Sequence, residues 1–574
     1  MKWTWVLSLP LFGGIGGGFS SCSDMLDPES DLVMYQEGNK LSTVNDTLYS
    51  VIGVVNCMQQ LADRTNLLGE VRGDLVSVTT DATTDLQALA DFTAGTDNQY
   101  NVPEDYYAVI NNCNYFIQTA DTSYTKQGQK VFEREMAVMH TFRAWAYLQL
   151  ALNYGDVPFY TEFLGTEKAA QAVMKQPAKS LNEICNWLID DLTPWATTLP
   201  LSYGDMNSMP SEKFFIPVRV MLGELCLWSG RYAEAAQWYH DYLNDFDTPR
   251  PISCSYFTQW STADNPATAI ITSYNSIFST VQNQEVLSFI PMESTVFDGT
   301  VSYLPDLYNS TDDNDYYFEL TYSRALVELS AAQNYRYVYE DRNTFQRDTV
   351  NMSADSITTL ITDEKRLGDL RLYATVSETV HASSSSSTYN TMRQTISKIK
   401  EDYVILYRLG TIYLHYAEAL NRAGCPTAAF AVLKYGLSNE TLVRTSGNVI
   451  ADAEWTQSSG LFSFSQLNFT KTNTCGIHSR GCGDTEANNE YAIPALTSAA
   501  DTADWVEDRI IDELALEDCF EGQRFYDLMR VALRRGDNSY LADRIATRNG
   551  AGQADDALRS RLMQTSNWYL PLRK

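Results

Sequence analysis

Positive charge is scarce in this sequence: 42 Lys and Arg stand against 72 Asp and Glu, and the formal net charge is −30. Such a field repels phosphate backbones and anionic headgroups, which argues against nucleic-acid binding and electrostatic docking on a membrane. The cysteines lack paired spacing. Beyond Cys22 nine remain, scattered without a CxxC pair, so neither a disulfide framework nor a zinc site is indicated. Only Cys475 and Cys482 are close enough in sequence to close a short loop. No GxSxG, HExxH or P-loop signature occurs, so no nucleophilic, zinc-hydrolytic or nucleotide chemistry announces itself. No run approaches the 18 or so apolar residues that a spanning helix needs. The acidic "TDDNDYYFE" lacks the glycine and spacing of an EF-hand loop, so Ca2+ goes unsupported and no cofactor is expected.

What is present is ordinary in one respect and unusual in another. With 574 residues, 44% of them apolar, the chain can bury a large core or two interlocked lobes. Aromatics are abundant, with 35 Tyr, 23 Phe and 11 Trp. Most belong in a core, but the tyrosine hydroxyl suits a half-wet surface, and a Tyr-rich acidic protein is suited to neutral polar ligands.

The first residues read as an address. Lys2 precedes an apolar run from Trp3 to Phe12, and glycines lead to Phe19-Ser20-Ser21-Cys22. This is the layout of a secretory signal over 1–21, and Cys22 stands where a bacterial lipobox places its acylated cysteine. The acidic stretch that follows, 22–31, then forms a solvated tether below a lipid anchor.

Apolar periodicity predicts a mainly α fold. Val138, Phe142, Trp145, Leu148 and Leu152 make one amphipathic stripe, ended by "NYGDVPF". Met221, Leu225 and Trp228 make a second, and Tyr232, Ala236, Tyr239 and Leu243 a third. Ile405, Leu409, Ile412, Tyr416 and Leu420 make a fourth, which turns at "AGCP" into Ala428, Val432 and Tyr435. In "LGELCLWSGRYAEAAQWY" the Leu222-Gly223, Ala235 and Tyr239 offsets are those of a tetratricopeptide hairpin. Between hairpins, residues 251–320, 335–402 and 446–500 are loop-like, with short strands such as "YRYVY" and the serine run "HASSSSST". Long irregular segments on a helical frame are where binding residues sit, so Tyr256, Trp260, Tyr303 and Tyr308 become candidate ligand contacts.

Near the C-terminus stands "DWVEDRIIDELALEDCFEGQRFYDLMRVALRRG". Asp504 and Glu507 suggest a capping box, and Glu521, Arg524, Asp527 and Arg530 are spaced for ion pairs one turn apart. By itself this is a salt-bridged helix without catalysis. It also resembles the signature of the SusD/RagB family of surface nutrient-binding lipoproteins, with Glu513-Leu514-Ala515, Glu517 and then Phe520-Glu521-Gly522 through Arg530. "REMAVMHTFRAWAYLQLALNYGDVPFYTE", "YVILYRLGTIYLHYAEALNRAG" and the closing "NWYLPLRK" resemble the same family in the same order.

The resemblance implies about four tetratricopeptide-like units carrying an irregular, loop-rich half. It implies an N-terminal helical region over 32–250 and a C-terminal region over 251–574 that bears the ligand loops. It places Arg72 and Asp74 of "GEVRGDLV" in a part of the family where ligand contacts arise. Function follows as an expectation: non-catalytic capture of an oligosaccharide at the outer-membrane surface and delivery to a TonB-dependent, SusC-like transporter. Peptides or other nutrients are the alternative cargo. A surface glycosidase working through a carboxylate pair, or an adhesin, is the rival from another class.

Overall fold

The computed structural model describes residues 44–126, 128–252, 273–292, 301–310, 318–340, 343–344, 346–352, 368–382, 390–438, 442, 449–470, 473–483 and 490–572. The first half is a run of helices: α1 (Val44–Gln59), α2 (Ala62–Glu70), α3 (Thr84–Ala90), α4 (Pro103–Thr119), α5 (Glu133–Tyr154), α6 (Glu167–Met174), α7 (Leu181–Leu192), α8 (Val218–Trp228) and α9 (Tyr232–Leu243). The second interleaves helices with short strands: α10 (Leu304–Tyr308), α11 (Arg324–Ala331), α12 (Leu370–Thr375), α13 (Leu409–Arg422), α14 (Pro426–Tyr435), α15 (Asp452–Ser458), α16 (Ser479–Cys482), α17 (Ala499–Asp518), α18 (Arg524–Arg535), α19 (Ser539–Ala546) and α20 (Asp556–Leu562). The mainly α expectation holds, and the strands form two-stranded antiparallel pairs.

The hairpins pack as their sequences imply. α8 and α9 are joined through Ser229-Gly230 and lie against each other. Gly223 explains how: a Cβ there would stand 2.4 Å from Cε1 of Tyr239, so only glycine lets the ring seat on the helix backbone. The Tyr239 hydroxyl then donates to Glu224 at 2.7 Å. α13 and α14 form the corresponding later hairpin, with Pro426 at the first turn of α14. α13 also packs on α9 and on α17, which joins the two halves of the chain.

Three expectations change. The α5 stripe is not one-sided, because nearly every residue from Glu135 to Tyr154 is buried. The helix is sandwiched between α4 and the α7–α8 layer, and its polar residues are satisfied inside: Arg143 and His140 both reach Asp191 at 2.7 Å. Ile405 is not helical. It lies in the strand Tyr403–Arg408, which pairs antiparallel with Val286–Pro291, and α13 starts only at Leu409. The β-branched and aromatic run "YVILYR" suits a half-buried strand better than a first helical turn. α17 starts before Asp504, with Ser498 as the cap accepting from the Asp501 amide, and Glu507 is a buried residue of the helix interior. One continuous apolar cluster runs from Val51 to Leu570.

The expected strand "YRYVY" is present as Tyr335–Glu340, paired with Arg347–Met352. Cys475 and Cys482 are both buried and no disulfide joins them. The leader, Cys22 and its tether, Tyr256, Trp260, and most of the serine run lie outside the described residues.

Candidate functional site

α2 and the turn after it gather the chain. Asp63 accepts from the Ser302 hydroxyl at 2.6 Å and from the Tyr303 amide at 2.9 Å. One turn on, Asn66 donates to the Phe520 carbonyl at 2.6 Å and accepts from the Tyr308 hydroxyl at 3.0 Å. Gly69 meets Gly522 backbone to backbone, and Glu70 accepts from the Gly522 amide at 2.8 Å. Arg72 donates to the Trp568 carbonyl at 3.1 Å and to Asn153, while Asp74 holds Arg524 at 2.5 and 3.0 Å. α2 thereby pins the "FEGQRFYD" turn and the C-terminal tail to the N-terminal half.

The carboxylates of that signature serve an internal ion lattice. Glu517 accepts from Arg408 at 2.6 Å, Arg480 at 2.9 Å and Arg371 at 3.1 Å. Arg371 also holds Asp369 at 2.6 Å and Glu513 at 2.7 Å, and Arg408 holds Asp518 at 2.7 Å and Glu521 at 2.6 Å. All these groups are buried except Glu521, which is partly exposed. Burial pushes the Glu517 carboxyl upward, yet Arg480, Arg408 and Arg371 outweigh it and hold it well below the usual carboxylate range. Glu513, opposed by burial but held by Arg371 and His478, sits at about 2. Of the four residues spaced for pairs one turn apart, only Arg530 and Asp527 pair with each other, at 2.8 Å. Arg524 turns instead to Asp74, and Glu521 to Arg408 and Lys398, partners that come from elsewhere in the chain. A second cluster joins α8, α13 and α18: Arg530 holds Glu418 at 2.6 Å, and His415 holds Glu224 at 2.7 Å. Burial would lower His415, but Glu224 and Asp527 overcome it and raise it to about 10.

Stability must therefore depend on pH at the acid end. Glu418 and Glu513 both sit at about 2 in the folded chain, below the ordinary value of 4.5, so their contribution is complete above that value. It disappears as pH falls from 4.5 towards 2. A series of melting curves should show the steepest loss there, with each carboxylate worth roughly 3 kcal/mol.

A different texture faces solvent at the Tyr303 turn and around Tyr100. Tyr303, at the entry to α10, is 65% exposed, and its turn is moored to Asp63. The strand Val76–Val78 pairs with Leu320–Tyr322, and beyond it the Thr83 amide donates to Glu319 at 2.8 Å. Tyr100 is half-buried beside them. Burial, then Glu319, Asp85 and Asp63, push its hydroxyl up to about 12, so it remains a neutral donor. Tyr303 supplies a flat ring, Tyr100 a hydroxyl, and Asp85 and Glu319 acceptors. The neighbouring cleft lined by Leu304, Lys400, Tyr403 and Phe520 measures about 20 Å³, enough for a water and too small for a sugar.

Of the sequence-predicted contacts, Tyr303 is on this face. Arg72, Asp74 and Tyr308 are corrected: all three are buried, and their polar groups are engaged with Asn153, Arg524 and Asn66. The reason is their place at α2, which carries the joint between the halves. Sequence reasoning missed Asp63, Tyr100, Asp85 and Glu319. For Tyr100 the signal was its aperiodic setting, "TDNQYNVP"; for the carboxylates there was none. Among the described residues no group of His, Cys, Asp and Glu is arranged to hold a metal ion, and no helix is long and apolar enough to cross a membrane.

No family model and no curated protein matches the chain. Solved structures do. A SusD superfamily protein from Bacteroides vulgatus aligns with a TM-score of 0.53 at 13% identity, over 91% of this chain and 92% of its own. A SusD-like carbohydrate binding protein from Bacteroides fragilis aligns with a TM-score of 0.52 at 14% identity, over 87% and 88%. Surface glycan-binding protein A from Bacteroides uniformis aligns with a TM-score of 0.52 at 16% identity, over 92% and 96%. With near full-length superposition on these proteins, and a frame of helical hairpins bearing short strand pairs, the chain has the SusD fold.

Proposed function

We propose that the chain captures an oligosaccharide without cleaving it, on the face carrying Tyr303, with Tyr256 and Trp260 as further contacts. The observation that carries this reading is a tyrosine ring 65% exposed on a turn moored to Asp63. Sugars present C–H faces to such a ring and hydroxyl edges to polar side chains. Covering roughly 40 Å² of sugar face contributes about 1 kcal/mol per ring. A few rings and polar contacts give affinities on the order of micromolar to millimolar, which suits cargo that must be released. Two proteins of the same fold are described as a carbohydrate binding protein and a surface glycan-binding protein, which supports the ligand class. The carboxylates Glu418, Glu513 and Glu517 are buried under arginines and unavailable for acid–base work on a substrate, which supports binding over hydrolysis.

In the same proposal Cys22 carries the lipid that holds the chain at the outer-membrane surface, and a TonB-dependent, SusC-like transporter receives the cargo. Fatty-acid labelling should mark the wild type and spare Cys22→Ala; equal labelling removes the anchor. For binding, Tyr303→Ala and Trp260→Ala should each weaken retention in a polysaccharide-impregnated native gel with unchanged melting temperature. Unaltered migration of both variants, on a glycan that retains the wild type, would contradict this placement.

A further inference from the structure

Glu70, at the end of α2, stands apart from the carboxylates around it. Asp74 is bound by Arg524, Glu517 by three arginines, Asp518 by Arg408, and Glu521 by Arg408 and Lys398. Glu70 is fully buried, and among the described residues no cation bonds it. One of its oxygens accepts from the Gly522 amide at 2.8 Å, and the other has no hydrogen-bond partner. The neighbouring cations are committed elsewhere. Lys398 donates to the Glu517 carbonyl and to Glu521, both at 2.6 Å. Arg524, from α18, is held by Asp74, and Arg408, from the strand that packs on α2, by Asp518 and Glu521. Arg72, on the same turn, reaches Asn153 and the Trp568 carbonyl. Of the other groups that face Glu70, Tyr308 and Cys519 are kept neutral by burial and Glu521 carries like charge. A carboxylate buried without a cation is disfavoured against its neutral form, and an opening that admits water removes the penalty. The position matters as much as the burial. The contact that holds Glu70 also seats Gly69 on Gly522, and the preceding turns of α2 carry Asn66, bound to Tyr308, and Asp63, bound to the Tyr303 amide.

We propose that Glu70 is a proton switch in this joint. Neutral, it lets α2 close on the Gly522 turn; ionised, it favours opening of that contact and loosens the Tyr303 turn that hangs from the same helix. The inference does not depend on what the Tyr303 face binds. Burial raises the Glu70 carboxyl from the ordinary 4.5 to about 7, against the pull of the Gly522 amide and Lys398. The closed joint therefore prefers the protonated group: its advantage is complete below 4.5 and is lost as pH rises through 7. This runs opposite to Glu418 and Glu513, whose contributions fail as pH falls below 4.5. Within the Glu70 window the opening equilibrium should rise by about tenfold per pH unit.

Hydrogen exchange of the full-length protein between about pH 5 and pH 8, corrected for the intrinsic rate, tests this at the Gly522 and Tyr303 amides. In the wild type their opening should rise by on the order of a hundredfold across that range, while in Glu70→Gln it should stay level. Denaturant titration supplies a second readout: the folding constant of Glu70→Gln relative to the wild type should grow by a similar factor from the acid to the alkaline end. If Glu70→Gln does not fold, the wild-type exchange profile decides alone. A wild-type profile that stays level with pH overturns the inference. Parallel profiles for the wild type and Glu70→Gln also overturn it, since another group would then carry the dependence. Opening that rises at Gly522 and leaves Tyr303 unmoved overturns it too, because the switch would not reach the turn.

Discussion

Gly69→Ala is expected to prevent the chain from reaching its folded state, or to destabilise it by about 3 kcal/mol or more. A Cβ at residue 69 would lie 1.8 Å from the Gly522 carbonyl oxygen and 2.4 Å from its carbon. Both partners are backbone, so no side chain can rotate away. Gly522 cannot retreat either. Its φ of +85° is one that L side chains rarely adopt, and a Cβ on it would stand 2.3 Å from the Thr65 carbonyl oxygen. The same contact carries the Glu70–Gly522 and Asn66–Phe520 hydrogen bonds, so displacing it uncouples α2 from the turn between α17 and α18. Gly53→Ala is the matching control. It lies exposed in α1 with nothing within 4 Å of its would-be Cβ, and should stabilise by about 0.5–1 kcal/mol. Soluble yield and melting temperature of the two variants decide the matter; a Gly69→Ala protein that melts with the wild type would refute the close approach.

Arg408→Met should cost about 3–5 kcal/mol, because three carboxylates, two of them buried, lose their shared cation at once. Arg408 bonds Glu517, Asp518 and Glu521 at 2.6–2.7 Å with no solvent access. Lys398 reaches Glu521, and Arg371 and Arg480 reach Glu517, but none of them bonds Asp518. Arg408→Lys should rescue little, since a point charge cannot reproduce a fork that touches three acceptors. Arg324→Met removes a cation from an exposed pair with Glu328 and should change stability by roughly 0.5 kcal/mol at most. Denaturant titration of the three variants measures the contrast. A loss at Arg408 no larger than at Arg324 would mean that the lattice contributes nothing to stability.

These two predictions also mark where sequence reading succeeds and where it stops. The hairpins were legible because α8, α9, α13 and α14 are formed by local periodicity and closed by local turns, and because Gly223 and Tyr239 lie within one motif. α5 was legible as a helix but not as a buried one, since its second face is covered by α7 and α8. The acidic signature was legible as ion-paired, whereas its partners were not. Arg408 stands 109 residues from Glu517, and Arg371 stands 142 from Glu513. No spacing rule on one helix reaches across such separations. Arg72 and Asp74 misled for a related reason: a charged pair in a turn reads as surface until its partners, Asn153 and Arg524, arrive from elsewhere in the chain. Tyr303 is exposed, as an aromatic residue in an aperiodic segment with few structural obligations can be. Tyr308, five residues on, looked alike, and only the fold shows that its hydroxyl belongs to Asn66.

The central claim is that this frame presents a surface which holds a glycan and leaves it intact. Isothermal titration calorimetry of the purified chain against oligosaccharide fragments of several polysaccharides tests it in one measurement. The account predicts saturable heat for at least one fragment, at micromolar to millimolar affinity, with the signal returning to baseline after each injection. Sustained heat after injection, as in continuing turnover, would contradict it, and so would the absence of heat from every fragment.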